Sequence, residues 1–520
     1  MPGINVTTAV RTGPVGTTDI VSGQAFMIGA TERGPVDEPL LLRSFQDYIT
    51  YYGNYQADSL YMHAKTFFDE GGSRLWVRRA HSGAASAAIA GTATIRDSAA
   101  SASMLISAKT PGPWSSNLSV EVQDSTTAGS TVASAAYRIL IRLDNELVLT
   151  TRDLVDITDG VNVINSSGIS HLVEASGPVV PNAGLPVAAS AEDFQPGAAA
   201  DPTVASIASD LLGNDSDART RYADGAFSAN LKSGAVMAPG FSGSTLWNAL
   251  RDHAAANNRI AICDFASTTS AATARSDAAN YYSHDKASYM AFYWPHIKVP
   301  VPNSSELALA SASQTIVGST LTIPPSSYVA AARARAVQQA TGPWRAGAGQ
   351  ISSAKTIVAL AQDVTAATGD VMDNARVNAL RKVGTSIRVY GARSVSNDEA
   401  NWRYITQRDT LNYISVGVED RMEEYVFETI DGRGNLFGRI RGAIKAFLEP
   451  IRVAGGLFEA YDDEGVLVDP GYNVTIDSTN NPTSQLATGL VKANVGVRVS
   501  GVADLINITI TKSNLSAPVI

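Results

Sequence analysis

The pattern of hydrophobic and polar positions has two different periods between residues 24 and 80. Four segments predict a buried strand, two helices and a second strand. In chain order they are Gln24 to Ala30, Ser44 to Tyr52, Ser59 to Glu70 and Arg74 to Ala80. Apolar residues recur every three or four positions in the helical segments, and Gly71-Gly72 ends the second one. We expect a β-α-α-β unit here.

From His81 to about Ala200 the period becomes two, and Ala, Ser, Thr and Gly dominate. Strands are predicted at Leu118 to Val122, Tyr137 to Leu143 and Leu147 to Leu149, with a turn at Asp144-Asn145. Strict alternation is typical of strands that bury one face. We therefore expect an all-β domain that is inserted into the fold.

From about Asp201 short apolar strands alternate with helices. The strands are expected at Ala235 to Ala238, Arg259 to Asp264 and Ser288 to Trp294. The helices are expected at Ser244 to Ala256 and Ser270 to His284. Strand-helix-strand repeats of this kind favour a parallel, doubly wound sheet.

The stretch Ile323 to Ala346 predicts one alanine-rich helix. Pro324-Pro325 blocks any earlier start, so we expect Ser326 or Ser327 to cap the first turn. Gly342-Pro343 should end the helix, because Gly adopts a left-handed conformation and Pro cannot continue the hydrogen-bond ladder. The small side chains predict close packing, as a rigid brace in the core.

Further helices and strands are expected after this stretch, and those between residues 401 and 503 predict a C-terminal α+β domain. Helices are expected at Val371 to Val383, Trp402 to Tyr413, Arg421 to Thr429 and Leu436 to Leu448. Strands are expected at Ser386 to Tyr390, Val495 to Val499 and Ile506 to Ile510.

Each end of the chain carries a candidate strand with alternating apolar side chains. The N-terminal strand holds Ile4, Val6, Thr8 and Val10, and the C-terminal strand holds Leu505, Ile506, Ile508 and Ile510. A flexible linker at Gly13 to Gly16 follows the first. A lone strand cannot satisfy its own ladder, so each must pair with a sheet of this chain or of another chain. A frayed tail is the alternative at the N-terminus.

Composition and charge narrow the class of protein. Only 17% of the 520 residues are charged, which suits a surface covered by copies of the same chain. The net charge of −9 argues against a nucleic-acid binder. Cys263 is the only cysteine, so an internal disulfide is excluded and synthesis in a reducing compartment is expected. The first twenty residues lack a signal pattern, and no apolar run reaches the roughly 18 residues of a membrane span, so we expect folding in a cytoplasm without membrane insertion.

Candidate catalytic chemistry is sparse. The six histidines show no metal-ligand spacing, and we expect no cofactor. Gly240 to Ser244 approaches the nucleophile elbow G-x-S-x-G, but Ser stands where the second Gly belongs. A turn in which Ser242 or Ser244 caps the next helix is the favoured interpretation. Asp264 ends a predicted strand, and helix breaking or capping accounts for it better than ligand binding.

One charge feature stands out in the C-terminal region. Arg439, Arg441, Lys445 and Arg452 lie on or just after a predicted helix, and Arg441 and Lys445 share one face. They form either a solvated face or a docking surface for an acidic partner. A nearby acidic cluster, which holds Glu419, Asp420, Glu423 and Glu424, could also neutralise them between subunits.

Six segments in this order resemble the tail sheath proteins of contractile phages. They are G-A-T-E-R-G-P-V (Gly29 to Val36), F-F-D-E-G-G-S-R-L-W-V-R-R (Phe67 to Arg79), K-T-P-G-P-W-S-S-N-L-S-V-E-V (Lys109 to Val122), the Ile323 to Ala346 stretch, V-Y-G-A-R-S with N-W-R-Y-I (Val389 to Ser394, Asn401 to Ile405), and V-A-D-L-I-N-I-T-I (Val502 to Ile510). The chain departs from the family at Ser115-Ser116, where Gly-Asn commonly follows the Trp, and at Ser500 to Ala503, where the approach to the last strand is usually proline-rich.

The resemblance implies a fold and a division into domains. The core would be an α/β domain with a subtilisin-like, doubly wound sheet that is non-catalytic, since the G-T-S-M-A serine motif is missing. The expected parts are an N-terminal arm (1–19), the first part of the core (20–80), the inserted all-β domain (81–200), the α/β sheath core (201–400), a C-terminal α+β domain (401–503) and a C-terminal arm (504–520).

The resemblance also implies a structural, non-enzymatic function. The chain would polymerise around a tail tube as stacked hexameric rings in a helical lattice, and contraction would drive the tube through the host envelope for genome delivery. Arms at both ends would add strands to neighbouring subunits, and Arg439, Arg441, Lys445 and Arg452 are candidates to face the tube. Further partners would be the baseplate and tail terminator proteins, and the location would be a virion tail assembled in the bacterial cytoplasm. The sheath of a tailocin or secretion-type system is the nearer alternative, and a serine α/β hydrolase using Ser242 the distant one.

Overall fold

The structure is a computed structural model, which describes residues 23–36, 38–82, 89–125, 136–213, 225–302 and 320–504. Both predicted arm strands, Ile4 to Val10 and Leu505 to Ile510, lie outside these residues. Within the described part, no helix has the length and apolar character needed to cross a bilayer.

A mixed sheet lies at the centre of the described part. Its eight strands are β1 (Ala25–Gly29), β2 (Leu40–Leu42), β3 (Leu75–Arg79), β11 (Ala235–Met237), β12 (Ile260–Asp264), β13 (Met290–Trp294), β17 (Val377–Val383) and β18 (Ser386–Val389), in the order β18-β17-β13-β12-β11-β1-β3-β2. The six inner strands run parallel, while β2 and β18 pair antiparallel at the two edges. The expected α/β character of the core is confirmed.

Helices cover both faces of this sheet. Along β1, Ala25 and Met27 enter one hydrophobic core, and Phe26 and Ile28 enter the other. The first core is closed by α1 (Phe45–Tyr52), α2 (Tyr61–Asp69) and α7 (Ser326–Ala340), and the second by α4 (Val204–Leu212), α5 (Ser244–Ala256), α6 (Ala271–Ala279) and α8 (Ala366–Asn374). Strands buried on both faces are near-continuous apolar runs, which is why the sequence pattern located them.

Two small sheets form a separate hydrophobic core between residues 92 and 194. One contains β4 (Thr92–Arg96), β5 (Ala102–Ala108) and β9 (Val173–Ser176); the other contains β6 (Leu118–Asp124), β7 (Tyr137–Leu143), β8 (Glu146–Thr150) and β10 (Ala189–Asp193). The predicted turn at Asp144-Asn145 is confirmed, with φ values of 52° and 65°. The all-β expectation is wrong at α3 (Ile157–Asn165), which Asp156 caps and which buries Ile157 and Ile164.

The remaining described strands form small sheets, one between β13 and β17 in the chain and the others after the central sheet, together with further helices. A three-stranded sheet contains β14 (Ile297–Pro300), β15 (Thr320–Ile323) and β16 (Ala359–Leu360). Four described helices follow β18, namely α9 (Glu399–Trp402), α10 (Ile405–Met422), α11 (Asn435–Val453) and α12 (Thr483–Leu486). Two further pairs of antiparallel strands are β19 (Ala460–Tyr461) with β20 (Leu467–Asp469), and β21 (Tyr472–Thr475) with β22 (Asn494–Val497). A further hydrophobic core holds α10, α11 and β21 together.

The predicted helix Val371 to Val383 is wrong in its second half. The helix ends at Asn374, Arg376 adopts a φ of 55°, and β17 begins at Val377. Val377 pairs with Phe292 of β13, and the strand is buried at its start. A short apolar run fits either period, and pairing within the sheet decides it.

The predicted helix Arg421 to Thr429 is also wrong in its second half. Its first residues belong to the end of α10, and one further turn follows at Glu423–Tyr425. Phe427 then takes a φ of 67°, so the helix cannot continue. The Phe427 side chain is fully exposed.

Candidate assembly surfaces and the contacts that support them

The first turn of α7 is capped by a side chain distant in sequence. Pro325 occupies the N-cap position and no serine side chain caps the helix, so the expected cap by Ser326 or Ser327 is wrong. The Ser326 N–H instead donates to Asp264 Oδ1 at 3.1 Å, from the end of β12. Burial raises the pKa of Asp264 to about 7, although hydrogen bonding from Ser326 lowers it. The capping role expected for Asp264 is confirmed, on a helix that sequence proximity could not have indicated.

The end of α7 also differs from expectation. Thr341, rather than Gly342, takes the left-handed conformation, with a φ of 57°. The Gly342 N–H donates to the Val337 carbonyl at 3.0 Å, which satisfies one of the last carbonyls of the helix. The helix itself ends at Ala340, just before Gly342-Pro343, and the predicted close packing is confirmed, since most of its residues are buried.

A buried ion pair joins α7 to α10. Arg333 Nε donates to Asp409 Oδ2 at 2.6 Å, and Arg333 Nη2 donates to Asp409 Oδ1 at 2.8 Å. Burial raises the pKa of Asp409, and the charge and hydrogen bonds of Arg333 oppose that rise. Arg333 Nη1 also donates to the Gln24 carbonyl at 3.3 Å. One guanidinium thus holds together the brace helix, α10 and the start of β1.

Gln24, the second described residue after the N-terminal arm, is fixed by its own side chain. Its Nε2 donates to the Ser233 carbonyl at 2.9 Å, and its Oε1 accepts from Trp76 Nε1 at 3.0 Å. The side chain is buried. The chain therefore enters β1 from a point held by two other segments.

Asp504, the last described residue before the C-terminal arm, is held by the segment N-W-R-Y-I. Arg403 Nη2 donates to Asp504 Oδ2 at 3.0 Å, and Arg403 also pairs with Glu399 at 3.2 Å. Partial burial raises the pKa of Asp504, but hydrogen bonds from Tyr404 and Arg403 outweigh it, and the pKa lies below its usual range. Arg403 precedes α10, the helix that carries Asp409, so both arm-proximal residues contact one connected framework.

Three of the six segments that resemble the sheath proteins meet between the central sheet and the β-sheets of residues 92–194. Arg79 Nη1 donates to the Pro111 carbonyl at 2.7 Å and to the Gly34 carbonyl at 3.2 Å. The Gly34 N–H donates to Thr110 Oγ1 at 3.2 Å, and Arg33 lies over the Trp114 ring at 5.7 Å. Burial lowers the pKa of Arg79 to about 10. These segments form an internal contact between structural units.

The four candidate tube-facing residues have different surroundings on α11. Arg439 is exposed and pairs with Glu428 at 3.2 Å, whereas Arg441 donates to the Ile476 carbonyl. Arg452 pairs with Glu449 at 2.5 Å and also with Glu459. Lys445 is exposed, and no ion pair to it is found within the described residues.

The acidic cluster of Glu419, Asp420, Glu423 and Glu424 forms few ion pairs within the described residues. Asp420 pairs with Lys232, which lies before β11. Arg439 instead forms an ion pair with Glu428, which lies outside this acidic cluster. Within the described residues, no ion pair joins the two clusters.

The candidate serine site has no catalytic geometry in the described residues. The N-cap of α5 is Gly243, with a φ of 115° and no side-chain cap, so the expected cap by Ser242 or Ser244 is wrong. No hydrogen bond joins Ser242 to a histidine or carboxylate in the ranges that the structure describes. Across the same ranges, no group of three His, Cys, Asp or Glu side chains could hold a metal ion.

Sequence reasoning missed the contacts of Gln24, Asp409 and Asp504, because an isolated polar residue gives no signal of its partner. It also missed the β19–β20 hairpin. There the signal was present, since the apolar run Val466 to Val468 follows three consecutive acids.

Comparison with known proteins gives matches at the level of structure. No protein-family model and no curated protein matches the sequence significantly. A sheath tail protein of Listeria innocua has a TM-score of 0.58 at 12% identity, with 88% of this chain and 89% of that chain covered. A sheath tail protein of Desulfitobacterium hafniense has a TM-score of 0.54 at 11% identity, with 92% and 94% covered.

A sheath assembly gives the same result. The helical sheath of the anti-feeding prophage in its contracted state has a TM-score of 0.51 at 12% identity, and 99% of both chains is covered. At such identities the likeness concerns the fold. Over nearly its whole length, this chain has the fold of contractile sheath tail proteins.

Proposed function

We propose that this chain is the structural subunit of a contractile sheath, which polymerises around a tail tube and shortens to drive the tube through a target envelope. The observation that carries the proposal is the structural likeness, which covers 88% of the chain with one sheath tail protein and 99% with a helical sheath. The matched chains are structural components, so we assign a mechanical role without catalysis.

We place the protein in the tail of a phage or phage-like particle. The matched structures come both from sheath tail proteins and from an anti-feeding prophage, so the sheath is that of a phage tail or of a related injection system. Its partners are further copies in stacked hexameric rings, the tube protein, the baseplate and the tail terminator. Assembly takes place in the host cytoplasm.

The rigid bodies of the sheath follow the domain division stated above, with a non-catalytic, subtilisin-like core. Separate hydrophobic cores support this division. The core of the β-rich unit and the core around α10 and α11 share no residue with the two cores of the central sheet. The β-rich unit can thus move as one body while its contacts with the core rearrange, whereas Ile405 and the buried pair of Arg333 with Asp409 tie α10 to the core.

The arms hold the lattice by strand addition. No third strand pairs with the β21–β22 sheet within the described residues, although a bridge from Leu457 to Val499 follows β22, so a strand from another copy could add along an edge. Gln24 and Asp504 fix the points from which the arms leave the body. Backbone hydrogen bonds then keep subunits joined while the bodies shift.

The tube contact is made by the exposed face of α11. Lys445 presents an exposed cationic group there, while Arg439 pairs with Glu428, and Arg441 and Arg452 orient the helix against its own chain. An acidic tube surface would complement this face.

The test is electron microscopy of the overexpressed full-length protein. Negative-stain images of the lysate should show long, hollow tubes of uniform diameter. Dispersed particles without tubes, at concentrations where the protein is abundant and folded, would contradict the proposal. Labelling of Ser242 by a fluorophosphonate probe, lost in Ser242→Ala, would instead support an enzyme.

A further inference from the structure

The β19–β20 hairpin exposes apolar side chains that no core of the described chain covers. Phe458, Tyr461, Val466, Leu467 and Val468 are between 38% and 67% exposed. Tyr461 lies opposite Leu467 in the ladder, and Val468 follows Leu467 on the other face of the strand. An isolated two-stranded hairpin is only marginally stable in water, and contiguous exposed apolar groups mark interaction sites. We therefore expect another protein surface to cover this hairpin.

The charge of this segment is one-sided. Residues Phe458 to Asp469, named here the acidic hairpin, contain five carboxylates and no basic residue. Glu459 pairs with Arg452, and Asp469 pairs with Arg498 at 2.8 Å. Asp463 and Glu464 at the tip are exposed, and no ion pair to either is found within the described residues. The tip can therefore take cations from outside.

A second hairpin of the same chain has the opposite character. Residues Val377 to Tyr390, named here the basic hairpin, contain three cations and no carboxylate. Arg381 lies directly opposite Arg388 across the β17–β18 ladder, and Lys382 at its turn is exposed. Like charges opposite each other destabilise a pair of strands. None of the three forms an ion pair in the described part of the chain, although Arg388 Nε donates to Ser353 Oγ at 3.0 Å.

We propose that the acidic hairpin of one copy docks onto the basic hairpin of a second copy. The occupant is another copy because the complementary surfaces lie on one chain and no hydrogen bond or ion pair joins them in the described part. A contact between two different surfaces repeats from copy to copy, as rings and helical lattices require. Three carboxylates without an ion pair in the described residues, Asp462, Asp463 and Glu464, facing three cations also favour one orientation of the two partners. The inference rests on the proposed sheath function and names one of its subunit contacts.

The test is a charge swap in the full-length chain. Asp463→Lys with Glu464→Lys reverses the acidic tip, and Lys382→Glu with Arg388→Glu reverses the basic hairpin. Each pair alone should raise the concentration needed for tube formation by about tenfold or more, as a loss of about 1.4 kcal/mol in contact energy would. All four changes in one chain should return that concentration to within about twofold of wild type.

The control is Glu192→Lys with Asp193→Lys on the exposed strand β10, which makes the same charge change elsewhere. It should leave the concentration for tube formation unchanged. Any of three outcomes would overturn the inference while leaving the sheath function intact. They are unchanged assembly of both swapped variants, no rescue in the combined variant, and an equal effect of the control. Normal self-assembly with lost co-sedimentation of the tube protein would assign the acidic hairpin to that partner and also overturn it. Wild-type protein that forms no tubes would overturn the sheath function itself, and this contact with it.

Discussion

Arg333 and Asp409 form a two-pronged buried ion pair, with N–O distances of 2.6 and 2.8 Å, that fixes α7 to α10. The same guanidinium reaches the carbonyl of Gln24, where the chain enters the central sheet. Because α10 begins beside Arg403, which holds Asp504, both arm-proximal residues contact elements that this pair connects. The brace predicted from small side chains depends equally on this one large, charged residue.

The ion pair predicts a large effect of removing one partner. Asp409→Ala leaves the Arg333 guanidinium buried without its counter-charge, and we expect a loss of roughly 3–5 kcal/mol in the free energy of unfolding. The double variant Arg333→Met with Asp409→Leu should lose less, since no buried charge remains. Denaturant unfolding followed by circular dichroism measures both.

A matched control is the exposed pair of Arg152 with Asp159, at 2.5 Å. Arg152→Ala should change the free energy of unfolding by less than about 1 kcal/mol, because water screens the pair. An effect of Asp409→Ala no larger than that of Arg152→Ala would show that the buried pair does not hold the two helices.

Asp264 predicts a specific dependence of stability on pH. Its folded-state pKa of about 7 lies above its ordinary value of 3.8. Between these values the folded state keeps a proton that the unfolded state has lost, so this group's contribution to stability falls as the pH rises and is fully lost above about 7. At high pH the Asp264→Asn variant should gain on the wild type.

Other carboxylates and histidines also titrate, so the difference between the two proteins is the quantity to measure. The free energy of unfolding of Asp264→Asn minus that of wild type should rise by roughly 4 kcal/mol between pH 4 and pH 7.5, since each pKa unit is worth about 1.4 kcal/mol. The Asn carbonyl can still accept from Ser326. A pH-independent difference would show that Asp264 is ionised in the folded protein throughout.

The N-terminal arm predicts a separation between folding and assembly. Deletion of Met1 to Thr12 removes the strand of Ile4 to Val10 but leaves Gln24 and its contacts in place. We expect folded monomers, with an unchanged far-ultraviolet spectrum, that form no tubes in negative stain. Tubes of normal length from the truncated protein would contradict the role assigned to this arm.

The sequence pattern predicted best where burial is continuous along the chain. Strands such as Ala25–Gly29 and Ile260–Asp264 lie within one residue of their predicted bounds, because an apolar run records burial on both faces. The pattern failed at Val377–Val383, where a strand buried at one end imitates the period of a helix. It also failed at Ser326, where the capping group came from a residue 62 positions away.

The candidate surfaces were less accessible to sequence reasoning than the fold. Lys445 and Arg441 look equivalent in the sequence, because both lie on the same face of one helix. The structure separates them, since Arg441 donates to the Ile476 carbonyl while Lys445 is exposed. Which of the two cations bonds within its own chain depends on where the segment that carries Ile476 packs. Local spacing along the helix does not contain that information.

This difference between the two cations gives a prediction about the tube. Lys445→Glu should leave self-assembly intact and weaken co-sedimentation with the tube protein, because it reverses an exposed charge on the proposed tube face. Arg441→Gln should instead lower the thermal midpoint of the monomer, since a buried carbonyl loses its donor. Equal co-sedimentation of Lys445→Glu and wild type would move the tube contact away from this face of α11.

The final prediction concerns the point where the C-terminal arm leaves the body. Asp504 is partly exposed, so Asp504→Ala should change the free energy of unfolding of the monomer by less than about 1 kcal/mol. If the C-terminal arm joins subunits as proposed, this contact fixes the arm to the body, and its loss should let tubes dissociate at a lower urea concentration than wild-type tubes. Asp193→Ala, on the exposed strand β10, is the matched control and should leave tube dissociation unchanged. If Asp504→Ala tubes were as resistant to urea as wild-type tubes, the arm would be anchored beyond Asp504, and the contact with Arg403 would serve the fold of the single chain alone.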